Sequence, residues 1–403
     1  MSRYSHCPGR RSLAGCLLAL VASGFSPALP AQDLACDPGA VALQGAELRV
    51  SPGGQDTGNL QCALDEATRL GVQKVKLDPG TFILDAVVSA RDFQGQVEGT
   101  TRTSTIVEAR GQTAFRFEVG APSVKFMTIR LIGSRAANAI EFTSDASNCS
   151  RRTIFAEVDR VNFEATQGTS ARTAGVIAVA AEGCVGSDQR LLGKLTVNRS
   201  DFAELWDGVA TAMTGGAVVT VSFNEFETLN FCYLGRDSSQ DTSIIGNRCE
   251  FGSHGAAVEQ NSASAPASTR MRVVNNRFTY RGSQPPGFSG TPVCMAWVGN
   301  QVSTVVGSAE ANSCSTGPSR FEMVGAFAAG TQRLRLSGNA FGGDYERAVW
   351  LTQAADTVLD ANQFSNSFST ADVLVDVSCA RTIIGPQQAA QVLNNSNSTY
   401  ILN

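Results

Sequence analysis

The chain has 403 residues, of which 43% are hydrophobic, 17% charged and 7% aromatic, which is enough apolar material for a large core. Gly 39 against Pro 13, with a mean hydropathy of −0.04, excludes a collagen-like chain and a polytopic membrane protein. The hydrophobic fraction also excludes general disorder. Because the formal net charge is −4, there is no electrostatic basis for nucleic-acid binding, and we expect no nucleic-acid partner.

The first 31 residues predict a signal peptide. Arg3, Arg10 and Arg11 precede an apolar run over 13–25 that is too short to span a bilayer. We place the cleavage site after Ala31, so the mature chain is expected to be secreted, periplasmic or extracellular, without a transmembrane segment. Removal of three arginines leaves 32 − 3 = 29 basic residues against 36 acidic ones, a net charge of −7.

Nine cysteines remain after this cleavage, and an exported chain with so many is expected to contain disulfides. None forms a C-x-x-C pair, which argues against zinc and thioredoxin-type chemistry. Pairing of sequence neighbours would leave one cysteine over, although spacing alone does not determine connectivity. The neighbouring pairs are Cys36 with Cys62, Cys149 with Cys184, Cys232 with Cys249 and Cys294 with Cys314, and the remaining residue is Cys379.

A short motif, an aliphatic residue followed by Asn, any residue and Phe, recurs along the chain. Counting from the aromatic position, the spacings are 39, 24, 23, 29, 63 and 23 residues. The basic unit is therefore 23 or 24 residues, and the longest stretch must contain more than one unit. The positions counted are Phe163, Phe202, Phe226, Cys249, Phe278, Phe341 and Phe364.

Units of this length with alternating apolar residues and no helical period predict a solenoid of short strands. Stacked coils place equivalent residues about 4.8 Å apart, so aliphatic side chains fill the interior in rows. The asparagines of the motif, such as Asn224 and Asn276, are then expected to hydrogen-bond along the stack as structural residues.

The open end of a solenoid must be capped. Residues 59–70 place Leu60, Ala63, Leu64 and Ala67 on one helical face, and Gly71 follows as a C-cap signal. A strand, a turn and a second strand come next in the sequence VKLDPGTF.

This helix followed by V-x-L-x-P-G-x-F resembles the entry to the pectin-lyase-like right-handed parallel β-helix superfamily, which includes pectate lyases and polygalacturonases. The resemblance implies an all-β right-handed parallel β-helix with an N-terminal capping α-helix. After the signal peptide at 1–31, we expect one domain over 32–403. Its cap covers about 36–82, its coils about 83–385 and a C-terminal tail about 386–403.

The resemblance also implies a groove on one face, where a polysaccharide lies across successive coils. Asn138, Asp207, His254 and Arg347 are predicted to share one row, with Asn230 or Phe231 between the second and third. Taking the valines at 209 and 258 as inward predicts an outward neighbouring row of Glu141, Ala210, Ala257, Glu259 and Trp350. The coil at 230–235 can be registered two ways, so the direction of Tyr233 is undecided.

Polygalacturonases carry N-T-D-G, D-D-C and G-H-G on three consecutive coils, where this chain has W-D-G, N-F-C and S-H-G. Asn230 and Phe231 stand where the paired acids should be, and glycoside hydrolysis requires two carboxyl groups. We therefore do not transfer the family's mechanism.

In its place we predict catalytic roles for Asp207, His254 and Glu259. Two coils separate Asp207 from His254 by about 9.5 Å, and Glu259 projects into the same groove. The two carboxyls would then leave room for a water between them, as an inverting hydrolase requires. The simpler interpretation is that Asp207 caps a turn and Glu259 is solvated.

Five residues are predicted to bind substrate: Trp206, Asn230, Tyr233, Arg236 and Trp350. Aromatic rings can stack on sugars, and Arg236 can hold a substrate carboxylate with two donors. His254 is the only mature histidine, which excludes a histidine-rich metal site. A Ca²⁺ site of Asp and Asn oxygens stays open as a cofactor hypothesis.

Two classes of function follow. The first is a secreted enzyme, a hydrolase, lyase or epimerase, acting on a long, uronic-acid-containing polysaccharide. The alternative is a non-catalytic glycan-binding or structural surface protein, which the missing acid pair favours. We expect a monomer in either case. Fold alone does not separate the two classes, because one scaffold hosts many functions.

Overall fold

The computed structural model of the chain describes residues 34–133, 135–143, 154–166, 172–179, 192–212, 215–261, 268–300, 302–316, 323–343, 346–365, 371–387 and 391–402. The predicted signal peptide and the pair Cys149 and Cys184 lie outside them. In this part of the chain there is one helix, α1 (Asp56–Leu70). The strands, in chain order, are β1 (Val41–Gln44), β2 (Glu47–Val50), β3 (Lys74–Leu77), β4 (Gly80–Leu84), β5 (Val88–Phe93), β6 (Gln96–Glu98), β7 (Thr105–Arg110), β8 (Phe115–Gly120), β9 (Ser123–Lys125), β10 (Thr128–Ile132), β11 (Ala137–Thr143), β12 (Ile154–Asp159), β13 (Asn162–Ala165), β14 (Thr173–Val179), β15 (Leu192–Asn198), β16 (Asp201–Ala212), β17 (Gly215–Ser222), β18 (Glu225–Arg236), β19 (Ser239–Ile245), β20 (Arg248–Phe251), β21 (His254–Glu259), β22 (Ser268–Val274), β23 (Arg277–Tyr280), β24 (Val293–Val298), β25 (Thr304–Glu310), β26 (Ser313–Thr316), β27 (Val324–Ala329), β28 (Leu334–Ser337), β29 (Ala340–Gly342), β30 (Arg347–Thr352), β31 (Val358–Asp360), β32 (Gln363–Ser365), β33 (Ala371–Val375), β34 (Thr382–Ile384), β35 (Val392–Asn394) and β36 (Thr399–Ile401).

These strands stack in parallel along three faces of a coil, and only β1 and β2 pair antiparallel. The face named the front sheet runs from β5 through β8, β11, β14, the second parts of β16 and β18, β21, β24, β27, β30 and β33 to β35. A second stack runs from β2 through β3, β6 and β9 to β36, and a third runs from β4 to β32. The predicted right-handed parallel β-helix is confirmed.

The capping helix closes the N-terminal end of the stack. Its face of Leu60, Ala63, Leu64 and Ala67 is buried, and Gly71 adopts the left-handed conformation (φ 68°) while its N–H bonds Ala67. The helix begins at Asp56, three residues before the sequence-based start. The reason is that the buried Asp56 carboxylate accepts the N–H groups of Gly53 at 2.6 Å and Ile83 at 2.7 Å.

The asparagine row is a continuous hydrogen-bonded ladder, as predicted. Each Nδ2 donates to the Oδ1 of the next asparagine at 2.9–3.0 Å, and Gln387 ends the ladder with a 3.1 Å bond. The Oδ1 atoms also accept the backbone N–H of the preceding asparagine. The ladder residues are Asn224, Asn247, Asn276, Asn312, Asn339 and Asn362.

Asn312 is the ladder residue that the motif search missed. It precedes Cys314, which pairs with Phe278 on one side and Phe341 on the other. The 63-residue stretch therefore contains two units, and the first is hidden because Cys314 stands in the aromatic position and Ala309 in the position that holds valine on the preceding coil.

A second rule links this aromatic position to the front sheet. On four coils this position holds Phe and the residue facing it is Gly: a Cβ on Gly325 would lie 2.4 Å from Phe341 Cδ1, and Gly175, Gly208 and Gly255 face Phe202, Phe226 and Phe278 in the same way. On two coils both positions hold Cys, which gives the disulfides Cys232–Cys249 and Cys294–Cys314. These six coils fill the same space either with a ring and no side chain or with a disulfide.

The third described disulfide, Cys36–Cys62, ties the start of the described chain to α1. Cys379 is buried and free, as neighbour pairing implied.

The stack also continues further than predicted. The segment interpreted as a tail contains β35 and β36, which pair with β33 and β34 because their backbone groups find partners on the last coil. Across the described ranges no helix combines the length and the hydropathy of a membrane span.

The Gly and Phe rule predicts a new disulfide. In the double variant Gly325→Cys with Phe341→Cys, both positions are equivalent in register to the Cys294–Cys314 pair. We expect one additional disulfide per chain, measured as an unchanged thiol count on denaturation without reductant and two more thiols with it. As a control, Gly325→Cys with Phe278→Cys places the thiols on non-adjacent coils and should leave both free. Free thiols in the first variant would contradict the rule.

Candidate active-site cleft

The predicted row of polar residues is in register on the front sheet. Asp207 pairs with Phe231 and Phe231 pairs with His254, so Asp207 and His254 occupy the same position two coils apart. The row reaches Arg347 in one direction and Asn138 in the other. This resolves the alternative register of the 230–235 coil, because Phe231 and not Asn230 lies in the row.

A cavity of about 380 Å³ opens at this point of the front sheet, and we call it the cleft. Its floor comes from the second parts of β16 and β18 and from β21, and the loop after β23 forms one wall. All three predicted catalytic residues line it. The lining residues are Arg172, Trp206, Asp207, Ala210, Thr211, Ala212, Asn230, Phe231, Leu234, Arg236, His254, Glu259, Pro285, Pro286, Gly287 and Phe288.

A chain of hydrogen bonds crosses three coils of the cleft. Asn230 Nδ2 donates to Asp207 Oδ1 at 2.8 Å. The Ser253 hydroxyl donates to Asn230, at its Oδ1 and at its backbone oxygen. His254 Nδ1 lies 3.2 Å from the same Ser253 oxygen. The carboxyl and the imidazole are therefore connected although two coils separate them.

The other side of the imidazole faces charged groups. His254 Nε2 lies 4.0 Å from Glu259 Oε1, and Arg236 lies 3.6 Å from the second oxygen of that carboxylate. The ring edge of Phe288 packs against His254 at 5.8 Å between centroids. Glu259 thus stands between a histidine and an arginine, beside an apolar wall.

Burial sets the protonation of this site. Loss of hydration raises the pKa of Asp207 to about 7, although the Asn230 hydrogen bond and the charges of Arg172 and Arg236 oppose the rise. Burial also lowers the pKa of His254, which the nearby Glu259 charge only partly offsets. At neutral pH the cleft therefore holds a carboxyl that is close to half protonated and a neutral imidazole.

Such an arrangement is suited to acid–base chemistry. A group whose pKa lies near the working pH can both give and take a proton, and pairs of carboxyls in different environments divide the roles of acid and base. Asp207 can donate a proton, while Glu259 lies next to the Arg236 guanidinium at 3.6 Å. The two arginines offer charge for an anionic ligand.

Tyr233 and Trp350, two of the predicted substrate-binding residues, lie outside the cleft. Tyr233 points into the coil, is 1% exposed, and bonds Gln240 at 2.6 Å, so it does not reach the cleft. The physical reason is register, since Tyr233 pairs with Val209 on the inward row. Asn230 lines the cleft, but its amide is committed to Asp207 and Ser253. Trp206 and Arg236 line it as expected.

Trp350 lies three coils beyond His254, outside the cleft lining. Its ring packs against Phe327 at 5.1 Å between centroids, and the Arg347 guanidinium lies 4.6 Å from its ring centre. These three residues, named the distal cluster, are all partly exposed. Phe327 and Trp350 continue the outward row that includes Ala210, Leu234 and Ala257, so the distal cluster shares the face of the cleft.

Sequence reasoning missed three features of the cleft. Ser253 enters the sequence analysis only as the first residue of S-H-G, and neither Phe288 nor Arg172 belongs to a repeated motif. In the described part of the chain, no group of three or more His, Cys, Asp or Glu could hold a metal ion. The calcium hypothesis therefore gains no support from these side chains.

No protein-family model matches the chain, and no curated protein matches its sequence. Solved structures do match in fold. A surface adhesin of Streptococcus pneumoniae, PfbA, is 13% identical, with a TM-score of 0.52 over 79% of this chain and 88% of that one.

The A-module of the Azotobacter vinelandii mannuronan C-5 epimerase AlgE6 is 11% identical, with a TM-score of 0.53 over 87% of this chain and 95% of that one. The enzymatically active domain of tailspike protein 2 of bacteriophage CBA120 is 10% identical, with a TM-score of 0.50 over 88% and 51%. At these identities the likeness is one of fold, and the chain has the right-handed parallel β-helix that its resemblance to the pectin-lyase-like superfamily implied.

The raised pKa of Asp207 predicts a pH dependence of stability. Because the folded carboxyl binds its proton more tightly than the unfolded one, the folded state loses stability as pH rises from about 4 to about 7. The Asp207→Asn variant lacks this loss, so its free energy of unfolding relative to wild type should increase by roughly 1–3 kcal/mol between about pH 4.5 and pH 8. Urea unfolding at both pH values measures it. Parallel profiles for the two proteins would contradict the assignment.

Proposed function

We propose that the protein is an exported enzyme that cleaves a long, acidic polysaccharide in the cleft by acid–base catalysis. Asp207 acts as the general acid and Glu259 as the general base. The observation that carries the proposal is the difference between the two carboxyls of one cavity. Burial raises the pKa of Asp207 to about 7, whereas Glu259 forms an ion pair with Arg236 at 3.6 Å.

Glycoside hydrolysis requires this division of roles. One carboxyl protonates the leaving oxygen, and the other activates water on the opposite side of the sugar ring. Asp207 lies on β16 and Glu259 on β21, two coils further along the stack and further along the strand, so the two carboxyls belong to separate coils and not to the close pair of a retaining enzyme. The comparison with polygalacturonases agrees only in part, because Asn230 and Phe231 replace their paired acids.

The preference for an acidic glycan rests on Arg172 and Arg236. Both contribute positive potential at Asp207. The Arg236 side chain is 54% exposed, so it can bind a carboxylate of the substrate in addition to Glu259. A uronic-acid unit fits this charge better than a neutral sugar.

A second reaction class is favoured by the neutral His254. Elimination or epimerisation at the carbon beside a uronic carboxylate needs a base for the carbon-bound proton and a cation for the carboxylate. His254 and Arg236 offer both. The AlgE6 A-module with the same fold is named as a mannuronan epimerase, which makes this class worth testing in parallel.

Export supports an extracellular or periplasmic substrate. Three disulfides in the described residues need an oxidising compartment, as the predicted signal peptide also implies. A polysaccharide outside the cytoplasm is the substrate class that such a protein meets.

The first functional prediction concerns the carboxyls. Asp207→Asn and Glu259→Gln should each lower kcat at least about 100-fold, because each removes a proton donor or acceptor from the reaction. The assay offers the mature protein pectin, alginate and neutral glycans, and follows reducing ends, unsaturated products and epimer composition. In wild type, activity should fall as pH rises above about 7, because Asp207 must be protonated.

Asp241→Asn is the matched control, since Asp241 is a carboxyl on β19, away from the front sheet, next to Arg270 at 3.7 Å. It should retain full activity. If the wild-type protein binds a glycan but forms no new reducing ends, no unsaturated products and no epimers, the non-catalytic alternative is favoured instead. Epimer change or unsaturated products without new hydrolytic ends would favour the second reaction class.

We further propose that the distal cluster binds a sugar unit of the same glycan. Three coils separate Arg347 from His254, about 14 Å along the stack, so only a chain of several sugars reaches both. Trp350 and Phe327 provide aromatic surface for a sugar ring, and Arg347, which pairs with Glu346 at 2.6 Å, provides hydrogen-bond donors beside it.

Trp350→Ala should raise KM for the long polysaccharide about fivefold or more, and leave KM for short oligosaccharides of the same glycan unchanged. The loss follows because stacking on an aromatic ring contributes on the order of 1 kcal/mol or more. Tyr400→Ala, at an exposed ring on β36 outside the front sheet, serves as the control. Equal changes for long and short substrates would show that Trp350 only packs on the face.

A further inference from the structure

We propose that Asn230 and Ser253 form a directional hydrogen-bond chain that fixes the neutral imidazole of His254 as its Nδ1–H tautomer. The Nε2 atom then remains as a proton acceptor in the cleft. Each hydrogen bond between Asp207 and His254 has one proton, and the position of each proton follows from its neighbours.

The direction begins at Asp207. An ionised carboxylate only accepts hydrogen bonds, so the group of Asn230 that lies 2.8 Å from Asp207 Oδ1 must be its NH₂. The amide oxygen of Asn230 therefore faces the other way, towards Ser253. The ionised Asp207 thus sets the orientation of an amide whose two ends otherwise look alike.

Ser253 transmits this direction. Its side chain is completely buried, and its hydroxyl has a single proton. Both Asn230 atoms within its reach, Oδ1 and the backbone oxygen at 3.0 Å, are acceptors. The proton of Ser253 is therefore committed to Asn230, and its oxygen can only accept from the imidazole.

His254 must then donate from Nδ1 to Ser253 across 3.2 Å. A neutral imidazole carries one N–H, so Nε2 keeps its lone pair. The groups that face the ring are Glu259 at 4.0 Å from Nε2, Arg236 behind that carboxylate, and Phe288 at the ring edge. Arg236 and the apolar wall disfavour a second proton on the ring.

Asn230 and Ser253 are in this account positioning residues, since they act through the groups that they bond, Asp207 and His254. The role of Nε2 as a base rests on the proposed function. The tautomer itself does not, because it follows from hydrogen bonding alone.

The test is nitrogen NMR of histidine-labelled protein at about pH 8, where Asp207 is ionised. The chain has two histidines, His6 and His254, and a His254→Gln variant assigns the signal. We expect a protonated Nδ1 and an unprotonated Nε2 in wild type. A predominant Nε2–H form would overturn the proposal, whatever the variants do.

Ser253→Ala removes the acceptor, and the signal should shift towards the Nε2–H form. Ser243→Ala, on β19 outside the front sheet, should leave the tautomer unchanged. An unshifted Nδ1–H signal in folded Ser253→Ala would refute the chain. If Ser253→Ala does not fold, the wild-type tautomer still decides the question.

Kinetics separate this inference from the proposed function. If His254 serves as a base, Ser253→Ala should lower kcat about tenfold or more with little change in KM. A wild-type protein with the Nδ1–H tautomer and no activity on any glycan would refute the proposed function and leave the hydrogen-bond chain intact.

Discussion

The structure depends on one constraint, that every coil stacks on the next in the same register. The asparagine ladder enforces it, because each amide bonds both the side chain and the backbone N–H of its neighbour in the buried interior, where an unpaired amide would cost about 1–3 kcal/mol. A slip of one residue on any coil would break both the hydrogen bonds between asparagine side chains and the backbone hydrogen bonds between strands. Loops can therefore vary in length between coils while the rows on each face stay aligned.

The cleft is a consequence of that alignment. Register places Asp207, Phe231 and His254 at the stacking distance, and the small residues Ala210 and Ala257 leave space above the sheet that the Phe288 loop encloses. Enclosure removes water from Asp207 and His254, which moves both towards their neutral forms. The same backbone geometry thus brings the groups together and shifts their pKa values.

Most of the fold could be predicted from the sequence because its signals are periodic. The Asn and Phe repeat, the helix face ending at Gly71 and the strand–turn–strand after it each report local rules. Asn312 was missed because its unit departs from the motif at two positions, Cys314 and Ala309. Tyr233 was ambiguous because a one-residue shift reverses the direction of a side chain in a strand. Arg172 and Phe288 could not be found, since their place in the cleft depends on how loops of no fixed period fold over the sheet. The sequence therefore predicts the site residues whose positions are set by strand register, but not those that reach the cleft from loops.

The replacement of an acid by Asn230 changes what the cleft can do. A carboxyl at this position would compete with Asp207 for one proton, and like charges would push their pKa values apart. The amide has no proton to exchange, but it has a donor end and an acceptor end, so it stabilises ionised Asp207 with one and orders Ser253 with the other. In the proposed mechanism the proton-transfer groups stand at the two ends of the chain, Asp207 and His254, with Glu259 beyond. The acid–base groups then lie on separate coils, and not as adjacent residues on one coil, which suits a substrate laid along the stack.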